Sequence, residues 1–361
     1  MRQKPKTSLR ELLDRRAIKE LADARSFSRG VECQAGGLAS DEPMMDIEKL
    51  SQRELNELKR RIDQRLRRVE GDGRRTLVER LADAKSVELV VFAVKGQAIR
   101  CRTLDQGEPV TFRPGAGVRS EAEAHILTVR PRKAWVYGRT TYLSGHVLGM
   151  RLDVATLRLA PLKLLDEWTW EPREEGWGED DGPVMECLKP VIAAGPRPSF
   201  EMEQILPGLD PDDPDSDPIG QAVGLYEAGD VSQSFKVLHQ CLEEDLRVLD
   251  AHAHLGNWVF GDPPRDWQAK LAQRHYAAGV AIGELSLGCD FKGVLPWNRI
   301  DNRPFLRCLH GLGLSHWAQG DFEAAGKIFE RMLWLNPNDN QGARFCLLEV
   351  EARTSYRKSK S

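Results

Sequence analysis

The run CLHGLGLSHWAQGDFEAAGKIFERMLWLNP, Cys308 to Pro337, constrains the fold more tightly than any other stretch of this chain. Leu309 and Leu312 precede a small Gly313 on a first apolar stripe. Gly320-Asp321 interrupts it, and Ala325, Phe329 and Met332 recur at helical spacing on a second. The pattern predicts two antiparallel helices, 303–319 and 321–335. Gly313 and Ala325 are small enough to let the two axes approach, Phe329 fills the space between them, and Gly320 takes the tight turn. Pro337 cannot continue the second helix.

One helical hairpin cannot bury its own apolar face, so copies are expected nearby. LYEAGDVSQSFKVLHQCL (Leu225 to Leu242) repeats the Gly-Asp turn at Gly229-Asp230, followed by Phe235, Leu238 and Cys241. In DAHAHLGNWVF (Asp250 to Phe260), Leu255-Gly256 answers Leu312-Gly313. WQAKLAQRHYAAGVAIGE (Trp267 to Glu284) supplies the matching second helix, with Ala272 and Tyr276 in the packing roles. Residues 306–339 resemble a tetratricopeptide repeat, with His316 where the family usually carries an aromatic. The resemblance implies a C-terminal all-α unit of stacked helical pairs over 219–361, with two degenerate repeats and one well formed. A closing helix follows from about Gln341 to Arg353. What it implies is a binding architecture rather than a chemistry. The competing reading is an irregular helical bundle.

The net charge is only −3, yet the charges segregate. Residues 1–165 hold 33 Lys/Arg against 22 Asp/Glu, 166–218 hold 3 against 16, and 219–361 hold 16 against 17. A basic front half beside an acidic middle suits an anionic partner, or attraction between two segments of one molecule. The seven cysteines are odd in number, scattered and never spaced as CxxC, which fits a reducing compartment and hence the cytoplasm. No apolar run approaches the ~20 residues that cross a bilayer.

These shifts suggest an α+β multidomain chain. Residues 1–44 read as an extension with one helix, opened by a capping box at Ser8 and Glu11. Within it, LADARSFSRGVE (Leu21 to Glu32) resembles the segment before the zinc-binding part of SWIM-type proteins. The Cys/His ligands that would follow are absent, so no zinc role carries over. Residues 45–86 read as a basic helical hairpin. Leu55, Leu58, Ile62, Leu66 and Val69 share one face, Lys59, Arg60, Arg61, Arg65, Arg67 and Arg68 crowd the other, and a short helix follows at Thr76 to Ala84. From 87 to 165 the period becomes that of strands, predicting a small antiparallel β barrel or rolled sheet. Residues 166–218 form an acidic, proline-rich linker. Its alternate aspartates 210–217 lack the glycine turn and closing glutamate of a calcium loop.

Catalytic patterns are missing. There is no GxxxxGK[ST], GxSxG, HExxH or dinucleotide glycine motif, so no catalytic, cofactor-binding or metal residue is assigned and no cofactor is expected. The leading expectation is a non-enzymatic cytoplasmic adaptor that holds a protein or peptide partner in a groove of the helical unit. By position in the repeat family, the lining is Tyr226, Asp250, Asn257, Arg307, His310 and Trp317. The second expectation is RNA or DNA binding by the front half, with the repeats recruiting a partner. Arg60 and Arg68 on the basic helix and Arg130, Arg132 and Lys133 on a strand are its contacts, interleaved with Trp135, Tyr137, Arg139 and Tyr142. Alternation along that strand supports a plainer account, in which Trp135 and Tyr137 are core and the cations face water.

Overall fold

The computed structural model describes residues 76–115, 121–174 and 183–356. The expected extension 1–44 and the basic helix bearing Arg60 and Arg68 lie outside the described residues. Thr76 opens helix α1 (Leu77–Asp83) with a capping box: its Oγ1 accepts from the Glu79 amide, and its own amide donates to Glu79 Oε2 at 2.8 Å.

Strands β1 (Val87–Lys95), β2 (Ala98–Thr103), β3 (Pro109–Pro114), β4 (His125–Tyr137) and β5 (Thr140–Leu152) close into a barrel in the order β1-β2-β3-β5-β4. Its interior is filled at period 2 by Leu89, Val91, Ile99, Cys101, Val110, Phe112, Leu127, Val129 and Leu143, with Leu81 of α1 joining them. The expectation of a wholly antiparallel barrel is corrected at one seam. β3 and β5 run parallel, with Thr111 facing Tyr142 and Phe112 facing Leu143. The cause is topological: β4 leaves β3 to pair with β1, so its hairpin partner β5 returns beside β3 in the same direction. Gly145 makes the β4–β5 approach possible, because a Cβ there would run into the Arg130 carbonyl. The strand period expected up to 165 breaks after β5: a single helical turn α2 (Val154–Leu157) follows, and β6 (Leu164–Trp170) begins only at its end.

The acidic segment carries structure of its own. β6 pairs antiparallel with β7 (Arg197–Met202), and the short α3 (Lys189–Ala193) lies between them. Arg197 is buried, with its guanidinium between the rings of Trp170 and Trp334.

The C-terminal region is helical: α4 (Pro218–Glu227), α5 (Val231–Glu244), α6 (Leu249–Phe260), α7 (Asp266–Leu287), α8 (Arg303–Ala318), α9 (Phe322–Leu335) and α10 (Ala343–Glu351). Consecutive helices pack as pairs, α4 with α5, α6 with α7 and α8 with α9, and α10 closes against α9. Both Gly-Asp turns have one construction. Gly229 and Gly320 sit at φ +85° and +77°, and the next aspartate caps the following helix by accepting from the Gln233 or Ala324 amide. Aromatic rings seat in glycine notches: Phe329 lies where a Cβ on Gly313 would fall, at 2.7 Å, and Tyr276 lies against both Gly256 and Gly311. Among the described residues no helix is long and apolar enough to cross a membrane.

The barrel and the helices share a core. Val90 and Ile126 turn away from the barrel interior and join Val237, Leu238 and Cys241 of α5, which packs along β1. β1 is therefore apolar on both faces.

Candidate nucleic-acid interface

One face of the barrel is built by β2, β3, β5 and the outer half of β4. Register places Arg100, Thr111, Tyr142 and Trp135 side by side across four strands, and Arg113, Ser144 and Lys133 across three of them in the next row. Trp135 and Tyr142 stack with ring centroids 5.4 Å apart and planes 11° from parallel. The Arg113 guanidinium lies 5.3 Å from the Tyr142 centroid, and Lys133 Nζ lies 5.7 Å from that of Trp135. The four side chains make a ladder of cation, aromatic, aromatic and cation. Tyr137, near the hairpin tip, is 77% exposed.

The account that made Trp135 and Tyr137 core residues is overturned. Leu127 and Val129 point inward, and unbroken alternation would turn residues 135 and 137 inward with them. A bulge between Pro131 and Lys133 shifts the register by one, so Ala134 faces in while Trp135 and Tyr137 face out. Arg130, Arg132 and Lys133 are exposed as expected. Lys95, Arg100 and Arg113 were missed, because their place beside Tyr142 follows only from the pairing of β3 with β5.

The ladder borders a cleft of about 660 Å³, whose lining includes Lys95, Arg100, Thr111, Arg113, Arg139 and Tyr142. Residues 124–152 contain five Lys/Arg and no Asp or Glu. Glu108 also lines the cleft and is engaged by Arg80, and nearby Glu88 is engaged by Arg151. One further acid, from the helical region, pairs with two cations of the lining. Glu243 of α5 forms an ion pair with Lys95 Nζ at 2.9 Å and accepts from Arg100 Nη1 at 3.2 Å.

Behind this face, at the junction with the helices, a carboxylate is wholly buried. Glu123 is 0% exposed, lies 2.8 Å from His239 Nδ1 of α5 and 3.4 Å from His275 Nδ1 of α7, and accepts from the Val94 amide at 3.0 Å. Burial works to raise its carboxyl, but His239 and His275 outweigh that and hold it well below the usual range. Burial pushes His275 and His252 down to about 4 and lowers His125 as well. No group of three or more metal-ligating side chains with suitable geometry occurs among the described residues.

The residues expected to line a helical groove are partly brought together. Asn257, Arg307 and His310 converge on a cavity of about 470 Å³, with Tyr276, Gln341 and Tyr356 also in its wall. Asp250 is buried, and its two carboxylate oxygens both accept from Arg307 Nη1, at 2.8 and 3.1 Å. Tyr226 stacks on Trp258 at 4.3 Å, outside the cavity. Trp317 is buried, and its Nε1 donates to the Thr354 carbonyl at 2.7 Å, so it packs against the segment that follows α10. No protein-family model matches the chain, and no curated protein sequence matches it.

Proposed function

We propose that this is a nucleic-acid-binding protein whose barrel supplies the contact surface and whose helical region recruits a partner. The observation that carries the reading is the Arg113–Tyr142–Trp135–Lys133 ladder, two half-buried rings flanked by exposed cations, on an acid-free stretch of sheet. Aromatic faces stack on bases, and cations beside them neutralise phosphate. Fluorescence anisotropy with labelled oligonucleotides tests it. Binding should weaken steeply with salt, because each neutralised phosphate releases counterions. Joint W135A and Y142A substitution should weaken binding at least 10-fold, since each stacked base is worth about 1–3 kcal/mol. Unchanged binding by that double variant would refute the reading. The unbridged state of the six described cysteines supports a reducing, cytoplasmic setting.

A second reading rests on the helical cavity: tetratricopeptide-type repeats holding a peptide against Asn257, Arg307 and His310, with no catalytic turnover. The repeated Gly-Asp hairpins and the Phe329–Gly313 fit support the repeat assignment. Affinity capture from the protein's own cell extract, with and without nuclease, separates the two. Nuclease-resistant capture that is lost in R307A would favour the cavity, and capture emptied by nuclease would favour the barrel.

A further inference from the structure

Lys95 and Arg100 stand at the far end of the cleft from the aromatic stack, and their carboxylate partner comes from a different part of the fold. Arg100 and Tyr142 are separated by β3 alone, two strand spacings or about 10 Å, so one extended strand can touch both. Arg100 keeps 59% of its side chain exposed despite its partner. Glu243 sits in the last turn of α5, where the helix dipole disfavours a negative charge. It is held there by the two cations, each of which a phosphate oxygen satisfies equally well. Stacking on Tyr142 needs an open base face, which a duplex hides within its own stack.

We infer that the cleft takes an unpaired nucleic-acid strand, with a base stacked on Tyr142 in the place of the exposed Arg113 guanidinium and a phosphate at Lys95 and Arg100 in the place Glu243 now holds. The inference rests on the proposed function and adds to it the strandedness of the ligand and a built-in competitor. Glu243 sets the affinity: it keeps weak polyanions out and yields only to a ligand that also stacks. Because α5 carries His239 one turn before Glu243, a partner that moves α5 changes both contacts together.

The test uses the full-length chain, wild type and E243Q, with single-stranded oligo(dT), single-stranded oligo(U) and a duplex of equal length, over a range of salt concentrations. E243Q is expected to bind single strands about 10-fold more tightly at low salt. Its salt slope should steepen by about 0.7, because loss of one carboxylate leaves one more net positive charge for a single strand to neutralise. The duplex should bind more weakly than either single strand. Tighter binding of E243Q to either sugar supports the inference, and the sugar preferred identifies the strand. If E243Q binds no better than wild type while W135A/Y142A still loses binding, the competitor role is wrong and the proposed function stands. A duplex that binds as well as a single strand overturns the strandedness. Failure of wild type and E243Q alike to bind any of the three removes both proposals. Matching thermal melts of E243Q and wild type guard against a folding defect.

Discussion

Acid should loosen this protein well before its carboxylates protonate, and the cause is the histidine set around Glu123. His252 and His275 are held neutral by burial, titrating at about 4 against 6.5 for a free imidazole. The unfolded chain therefore takes up protons first as pH falls. Stability is full above about pH 7, declines as pH drops through 6.5, and levels off only below 4. Between pH 8 and 5 each residue loses roughly 1.5 pH units of that gap, or about 2 kcal/mol, so the pair removes about 4 kcal/mol. That is a large share of the 5–15 kcal/mol of a typical fold. Glu123 does not offset the loss. Its folded value is depressed, so the stability it brings is present above its unfolded value near 4.5 and disappears only at lower pH still. Urea denaturation followed by tryptophan fluorescence at pH 8, 7, 6 and 5 measures the effect. H252Q and H275Q should each flatten the dependence by about half. A wild-type midpoint that stays level from pH 8 to 5 would refute the argument, because it would mean that these imidazoles are protonated or hydrated in the folded state.

Two substitutions probe the ring-in-notch packing. F329A removes a ring that is 0% exposed and should cost about 3–5 kcal/mol in thermal or urea unfolding; a barely shifted transition would mean that the pocket collapses around the loss. G311A gains about 1 kcal/mol of helix propensity but drives a methyl into the Tyr276 ring. A net destabilisation of about 1–2 kcal/mol is expected in the same assay, with recovery when Tyr276 is also shortened to Leu.

The parts of the fold that could be read from the sequence are those determined by neighbours in the chain. Gly229-Asp230 and Gly320-Asp321 announce a left-handed turn followed by a capped helix, and Gly313 with Phe329 announces a close crossing only sixteen residues apart. The strands were equally visible, since inward positions alternate cleanly along β2 and β3. What could not be read depends on pairing between distant segments. The parallel β3–β5 seam brings Arg113 over Tyr142, and Glu123 meets His239 and His275 across more than a hundred residues. The orientation of Trp135 turned on one bulge at Pro131, a local event, yet one whose effect is to reverse every later side chain on the strand.

β1 belongs to two cores at once, and that limits how the protein can be taken apart. A chain cut between 165 and 218 would leave a barrel with Val90 and Ile126 bare and Glu123 stripped of its imidazoles, and a helical half with a matching apolar scar on α5. Neither half is a cassette. Any transplant into another protein, whether by recombination in evolution or by grafting in the laboratory, has to carry the barrel and the helices together, and partial fragments are expected to express as aggregates.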